Sequence, residues 1–144
     1  MGHVAVPIFL EQLKGDDHGL MQQTIEALGA IGPEARAAVP DLIQWLKLAL
    51  WPKDVSWALA RIGPEAALPL AEALDDPDER FRSWVAFTLG QIGPGASAAI
   101  PALTERLEDP SETVQLNAAD ALGKIRGEVA EISKELMTKE SPPR

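Results

Sequence analysis

The chain has 144 residues, is 46% hydrophobic and 24% charged, and carries a net charge of −9. Such a balance describes one folded domain of ordinary composition, and its acidity disfavours duplex nucleic acid, since the 13 lysines and arginines are spread along the chain rather than gathered on one face. The absence of cysteine excludes disulfides, thiolate catalysis and cysteine metal sites.

Along the chain, one pattern recurs. The first unit, about 4–31, holds Val6-Pro7, the acidic turn Gly15-Asp16-Asp17 and the segment Leu28-Gly29-Ala30-Ile31. The second, about 32–62, opens on Gly32-Pro33-Glu34, continues through Val39-Pro40 and ends in Leu59-Ala60-Arg61-Ile62. Leu48-Ala49-Leu50-Trp51-Pro52 stands where the other units have an acidic turn, so its second helix is predicted to be short, about 52–62. The third, about 63–92, carries Leu68-Pro69, Asp75-Asp76-Pro77-Asp78 and Leu89-Gly90-Gln91-Ile92. The fourth, about 93–126, carries Ile100-Pro101, Glu108-Asp109-Pro110-Ser111 and Leu122-Gly123-Lys124-Ile125. A helix rich in Glu and Lys, about 127–138, reads as a cap on the last apolar face, and 139–144 as a flexible tail. Together these make a single domain over 4–138.

Each recurring part has a physical task. A glycine after Leu-x-x-Ile supplies the left-handed residue that ends a helix, and the proline beside it suits the first turn of the next one. Asp-Pro and Ser-Glu pairs cap the second helix of a unit. Between caps, Phe81, Val85, Thr88, Leu89 and Ile92 recur at helical spacing, as do Val114, Ala118, Ala121, Leu122 and Ile125. A helix with one apolar stripe cannot bury it alone, and stacking on neighbouring units solves that problem. Pro40 and Pro101 fall inside otherwise helical stretches, which predicts a kinked first helix and a curved stack.

These segments, Leu-Gly-x-Ile-Gly-Pro-Glu-Ala, then an apolar residue and Pro, then Asp-x-Pro before an apolar-Arg pair, resemble HEAT-like repeats of the phycobilisome-lyase type. The resemblance covers about residues 4 to 137. It implies an all-α fold, a right-handed α-solenoid of about four to five helical hairpins, and polar residues at most places on the inner face. Gln115 departs from the pattern, standing where the third unit has Arg82.

If the Leu and Ile stripes point inward, the opposite faces of the second helices form one surface, with neighbours about 10 Å apart. On it stand Gln22, Gln23, Glu26 and Ala30, then Lys53, Asp54, Trp57 and Arg61, then Ser83, Trp84, Phe87 and Gln91, then Leu116, Asn117, Asp120 and Lys124. Trp57, Trp84, Phe87 and Leu116 are large and apolar, and exposed aromatic clusters mark interfaces. Arg61, Lys53 and Lys124 give them a partly basic rim. The expected site is therefore a groove for a protein or peptide partner, formed by Trp57, Arg61, Trp84, Phe87, Leu116 and Lys124. Two other roles stay open for this face: packing, with Trp57 filling space beside the short helix and Trp84 tucked between second helices, and self-association. Trp45, beside Leu42 and Leu46, reads as packing.

Chemistry-bearing patterns are sparse. His18, after Asp16 and Asp17, reads as a turn residue at a helix start rather than a metal ligand. HEAT-type deoxyhypusine hydroxylases resemble this fold and depend on repeated His-Glu pairs for iron, none of which occurs here. HEAT-like alkylpurine DNA glycosylases require a basic groove with aromatics and a catalytic Asp; Asp54 and Asp120 are present, but the charge is wrong. No nucleophile-base set, phosphate loop or paired-carboxylate motif is present. The expectation is a non-catalytic scaffold with no catalytic residue, metal or cofactor, working in the cytoplasm without membrane or nucleic acid. The alternative is a bilin lyase or chaperone-like subunit that cradles a tetrapyrrole.

Overall fold

The computed structural model describes residues 18–49 and 51–127. The start of the first unit, with Val6-Pro7 and Gly15-Asp16-Asp17, and the expected cap and tail at 128–144 lie outside these residues.

Helices α1 (His18–Ile31), α3 (Pro52–Ile62), α5 (Glu79–Ile92) and α7 (Glu112–Ile125) lie side by side in chain order, and α2 (Val39–Leu48), α4 (Ala67–Ala73) and α6 (Ile100–Glu105) form a second row. The result is an all-α solenoid of stacked helical hairpins. Ile25 and Leu28, Leu59 and Ile62, Leu89, then Leu122 and Ile125 are buried, and they meet Leu42, Leu46, Leu70, Leu74 and Leu103 of the other row. Each such side chain contributes about 1.5–3 kcal/mol on leaving water, so the aliphatic stripe drives the stacking. Among the described residues, no helix is long and apolar enough to cross a membrane.

Turn chemistry follows the repeat. Gly63 (φ 87°, ψ −139°) and Gly93 (φ 76°, ψ −144°) close α3 and α5. Their φ is positive as expected, but ψ lies far from the left-handed helical value, close to a region that only glycine enters. Asp78 caps α5, its carboxylate accepting from the Arg80 and Phe81 N–H groups at 2.9 and 3.4 Å, and Ser111 Oγ caps α7 by accepting from Val114 N–H at 3.4 Å.

The first helices bend for a different reason from the one the prolines suggested. A 3₁₀ segment, Gly32–Ala38, precedes α2, and another, Gly93–Ala99, precedes α6. The breaks fall at Ala35 (φ −86°, ψ 15°) and Ala96 (φ −96°, ψ 21°). Pro40 and Pro101 then occupy the first turn of α2 and α6, where a missing N–H costs nothing. They start helices rather than kink them.

The short α3 spans the predicted residues, and the turn before it contains two non-glycine residues at positive φ, Ala49 (59°) and Trp51 (50°). A Cβ in this region costs about 1–2 kcal/mol, against which glycine loses about 0.5–1 kcal/mol of backbone entropy. Ala49→Gly is therefore expected to raise the urea midpoint slightly, by up to about 1 kcal/mol in stability, and a lower midpoint would contradict the assignment of strain to this turn.

A buried polar strut ties the third unit to the fourth. Arg82, 8% exposed, donates from Nε and Nη2 to the two oxygens of Asp109, both at 2.9 Å, and from Nη1 to the carbonyls of Asp76 and Pro77 at 2.9 and 3.0 Å. Asp109, 2% exposed, also accepts from Arg106 Nη1 at 3.2 Å and from Ser111 N–H at 2.9 Å. One turn earlier, Asp76 accepts from Lys47 Nζ at 2.7 Å and from Asp78 N–H at 2.9 Å. Gln115 retains part of the task of Arg82, since its amide donates to the Asp109 carbonyl at 2.6 Å.

Candidate functional site

The outer faces of α3, α5 and α7 enclose a cavity of about 580 Å³ lined by Lys53, Ser56, Trp57, Ala60, Ser83, Trp84, Phe87, Gln91 and Asn117. Its aromatic wall follows from helical phase. With Leu59, Val85 and Leu89 buried, the side chains half a turn away must face water, and Trp57 and Phe87 are 46% and 37% exposed. Trp84 is half-buried and meets Phe87 edge-on, with ring centroids 5.5 Å apart at 87°, the favoured geometry for an aromatic pair.

Of the six expected site residues, Trp57, Trp84 and Phe87 come together in the cavity. Arg61, Leu116 and Lys124 are exposed but do not line it. Lys124 reaches back toward the wall, its Nζ 5.9 Å from the Phe87 ring centroid and 3.1 Å from Asp120 Oδ2. Asn117 and Ser83 form the polar end, the Asn117 amide donating to Ser83 Oγ at 2.6 Å and to the Ser83 carbonyl at 3.2 Å. Asp54 is turned toward the first unit and accepts from Gln22 Nε2 at 3.2 Å. Trp45 and Trp51 pair with each other at 6.2 Å and take no part in the lining.

Sequence spacing missed Ser56 and Ala60, which line the cavity from the flank of α3. Ser56 is buried, with its hydroxyl 2.8 Å from that of Thr88. The pairing of a Ser and a Thr 32 residues apart leaves no local signature. Also missed was the task of the glycine in Leu-Gly-x-Ile. A Cβ on Gly29 would sit 2.3 Å from Trp57 Cζ3, and one on Gly90 would sit 3.0 Å from Ala121 Cα. These glycines let adjacent second helices, or the indole between them, approach closely. Gly29→Ala is thus expected to push the Trp57 ring off its seat. Unfolding stability should change by about 1 kcal/mol or less, because the helix-propensity gain offsets the crowding. Near-ultraviolet circular dichroism should change, and an unaltered spectrum would show that Trp57 does not rest on Gly29.

The iron that the hydroxylase resemblance implies finds no donor set among the described residues. Among the described residues, no group of three or more His, Cys, Asp and Glu side chains is placed to hold a metal ion. His3 lies outside the described residues, and His18 begins α1. The acids nearest the groove, Asp54 and Asp120, are engaged with Gln22 and Lys124. The described residues do not fit that metal.

Comparison with known proteins corrects one expectation. A stretch of 58 residues is 47% identical to a deoxyhypusine hydroxylase of Aspergillus clavatus, covering 39% of this chain and 17% of that protein. Another of 66 residues is 46% identical to a deoxyhypusine hydroxylase of Drosophila melanogaster, covering 44% of this chain and 21% of that one. The chain thus matches about a fifth of the length of these relatives. They carry the name of an enzyme, which overturns the expectations of a non-catalytic partner-binding scaffold and of a bilin-cradling subunit. The missing His-Glu pairs do not decide the matter, because a scaffold segment can belong to an enzyme without holding its metal. A family model described as HEAT repeats matches residues 52–123 and 67–144. Spanning well over half of the sequence, that match agrees with the stacked hairpins, and the chain belongs to the HEAT-repeat family.

Proposed function

We propose that this chain acts in an enzyme of the kind its relatives are named for, a deoxyhypusine hydroxylase, and that the groove on α3, α5 and α7 holds part of the substrate. The observation that carries this reading is the aromatic wall. Trp57, Trp84 and Phe87 stand on adjacent helices around one cavity and remain partly in water. Each forfeits a fraction, about half or less, of the ~1.5–3 kcal/mol that full burial yields, which a bound molecule would recover. A volume of about 580 Å³ lies within the usual range for ligand sites. The likeness to the named enzymes supports the reaction class, and the groove supports the place of binding; the described residues orient substrate and exclude water.

The test is direct. The enzyme that contains this chain, supplied with iron, dioxygen and a two-electron reductant, is expected to place one oxygen atom of dioxygen on a deoxyhypusine-bearing polypeptide, the other leaving as water, read as a gain of one oxygen by mass spectrometry. The double variant Trp57→Ser/Trp84→Ser should lower kcat/KM by about tenfold or more, chiefly through KM, because it removes binding shared by ground and transition states. Absence of the oxidised product, or an unchanged kcat/KM in the variant, overturns the proposal.

A further inference from the structure

We infer that the groove grips an acidic segment of a polypeptide, seating an aromatic or aliphatic side chain between Trp57 and Trp84 with a neighbouring carboxylate at Lys53. This rests on the reading of the groove as a substrate site and specifies the substrate it takes. Charge complementarity selects the ligand. On a protein of net charge −9, the lone charged side chain among the lining residues is a cation, Lys53. Arg61 stands one turn beyond Trp57 on the same helix, outside the lining, and Lys124, its charge met by Asp120, leans over Phe87 from the far side, so Lys53 supplies the positive edge. The nearby acids do not enter the cavity: Asp54 accepts from Gln22, and Asp120 is paired with Lys124. The apolar floor and the cationic edge therefore ask for a ligand that carries both an apolar side chain and negative charge.

A polypeptide fits better than a compact solute because the surface crosses three helices. Adjacent helices lie about 8–10 Å apart, so α3 to α7 spans roughly 20 Å, the reach of about six extended residues. Trp57 and the Trp84–Phe87 pair offer two apolar seats along it. Asn117 and Ser83 offer polar groups at one end that can bond a peptide backbone.

Three fluorescently labelled hexapeptides test the inference, alternating phenylalanine with glutamate, serine or lysine, with binding read by anisotropy. The glutamate peptide is expected to bind about tenfold tighter than the lysine one. That margin should shrink as salt shortens the screening length, and it should reverse in Lys53→Glu, an exposed position whose substitution leaves the core intact. Equal binding of all three peptides, or tighter binding of the lysine peptide, overturns the acidic assignment while leaving the apolar groove standing. Binding of none of them, or equal binding by Trp57→Ser/Trp84→Ser, overturns the groove as a polypeptide site as well. Sedimentation that shows a concentration-dependent dimer abolished by Trp84→Ser would assign the groove to a second copy of the chain and likewise overturn the inference.

Discussion

Arg82→Ala is expected to remove about 3–5 kcal/mol of folding stability, the usual cost of leaving one member of a buried ion pair without its partner. The magnitude follows from geometry. The guanidinium spends four donor contacts on Asp109 and on the Asp76 and Pro77 carbonyls, and Asp109 is left at 2% exposure with its main counter-charge gone. Domains of this size hold only about 5–15 kcal/mol in total, so the variant should be close to unfolding at physiological temperature. Urea unfolding followed by far-ultraviolet circular dichroism measures the loss. A double change, Arg82→Met with Asp109→Leu, should recover much of it, since two apolar groups leave no buried charge. An unchanged midpoint for Arg82→Ala would show that the strut contributes nothing.

The same strut sets the acid limb of stability. Burial pushes the Asp109 carboxyl up, but the Arg82 hydrogen bonds, the Ser111 N–H and the charges of Arg82 and Arg106 outweigh it, and the group stays below the ordinary carboxylate range. Asp76 is lowered as well, first by its hydrogen bond from Lys47 and then by the Asp78 N–H. A carboxylate lowered in the folded state binds fewer protons there than in the unfolded chain, so its contribution is complete above the unfolded value of about 3.9 and is lost as pH falls through the folded one. Stability should accordingly hold steady from neutral pH to about pH 5 and then decline toward pH 2. In Asp109→Asn the decline should be shallower, from a lower plateau. An acid limb of equal steepness in both proteins would assign the effect elsewhere.

Leu59→Ala should cost about 2–5 kcal/mol, the range for emptying a fully buried leucine site, because Leu59 is 0% exposed on the helix flanked by α1 and α5. Leu116→Ala should change stability by less than about 0.5 kcal/mol, since that side chain is 64% exposed. The pair of thermal melts tests which face of the second helices turns inward. Comparable losses in both would place the stripe incorrectly.

Local rules made much of the fold legible. The Leu-x-x-Ile stripe with its following Gly-Pro, and the Asp-Pro and Ser-Glu caps, depend on neighbours within a turn or two, which spacing reveals. Pro40 and Pro101 were misplaced in role because nothing local states that a 3₁₀ segment precedes them, moving each from a helix interior to a first turn. The contacts of Gly29 with Trp57 and of Gly90 with Ala121 were invisible for the opposite reason: they arise between units, where the partner is set by stacking. Within the candidate site, helical phase put all six residues on one face, and of these Trp57, Trp84 and Phe87 line the cavity while Arg61, Leu116 and Lys124 stay outside it, since a shared face does not decide which side chains converge on one cavity. Function was read least well, because the pattern that relates this chain to named enzymes is the scaffold of the repeat and carries no reacting group.

Ligands are expected to meet the protein at the indoles of the groove. The four tryptophans give the test an internal control, because Trp57 and Trp84 line the cavity while Trp45 and Trp51 pair elsewhere. In a titration of ¹⁵N-labelled protein with the glutamate–phenylalanine hexapeptide, the indole N–H resonances of Trp57 and Trp84 should move together and saturate, while those of Trp45 and Trp51 stay in place. Movement confined to Trp45 and Trp51, or none at all, would contradict the account.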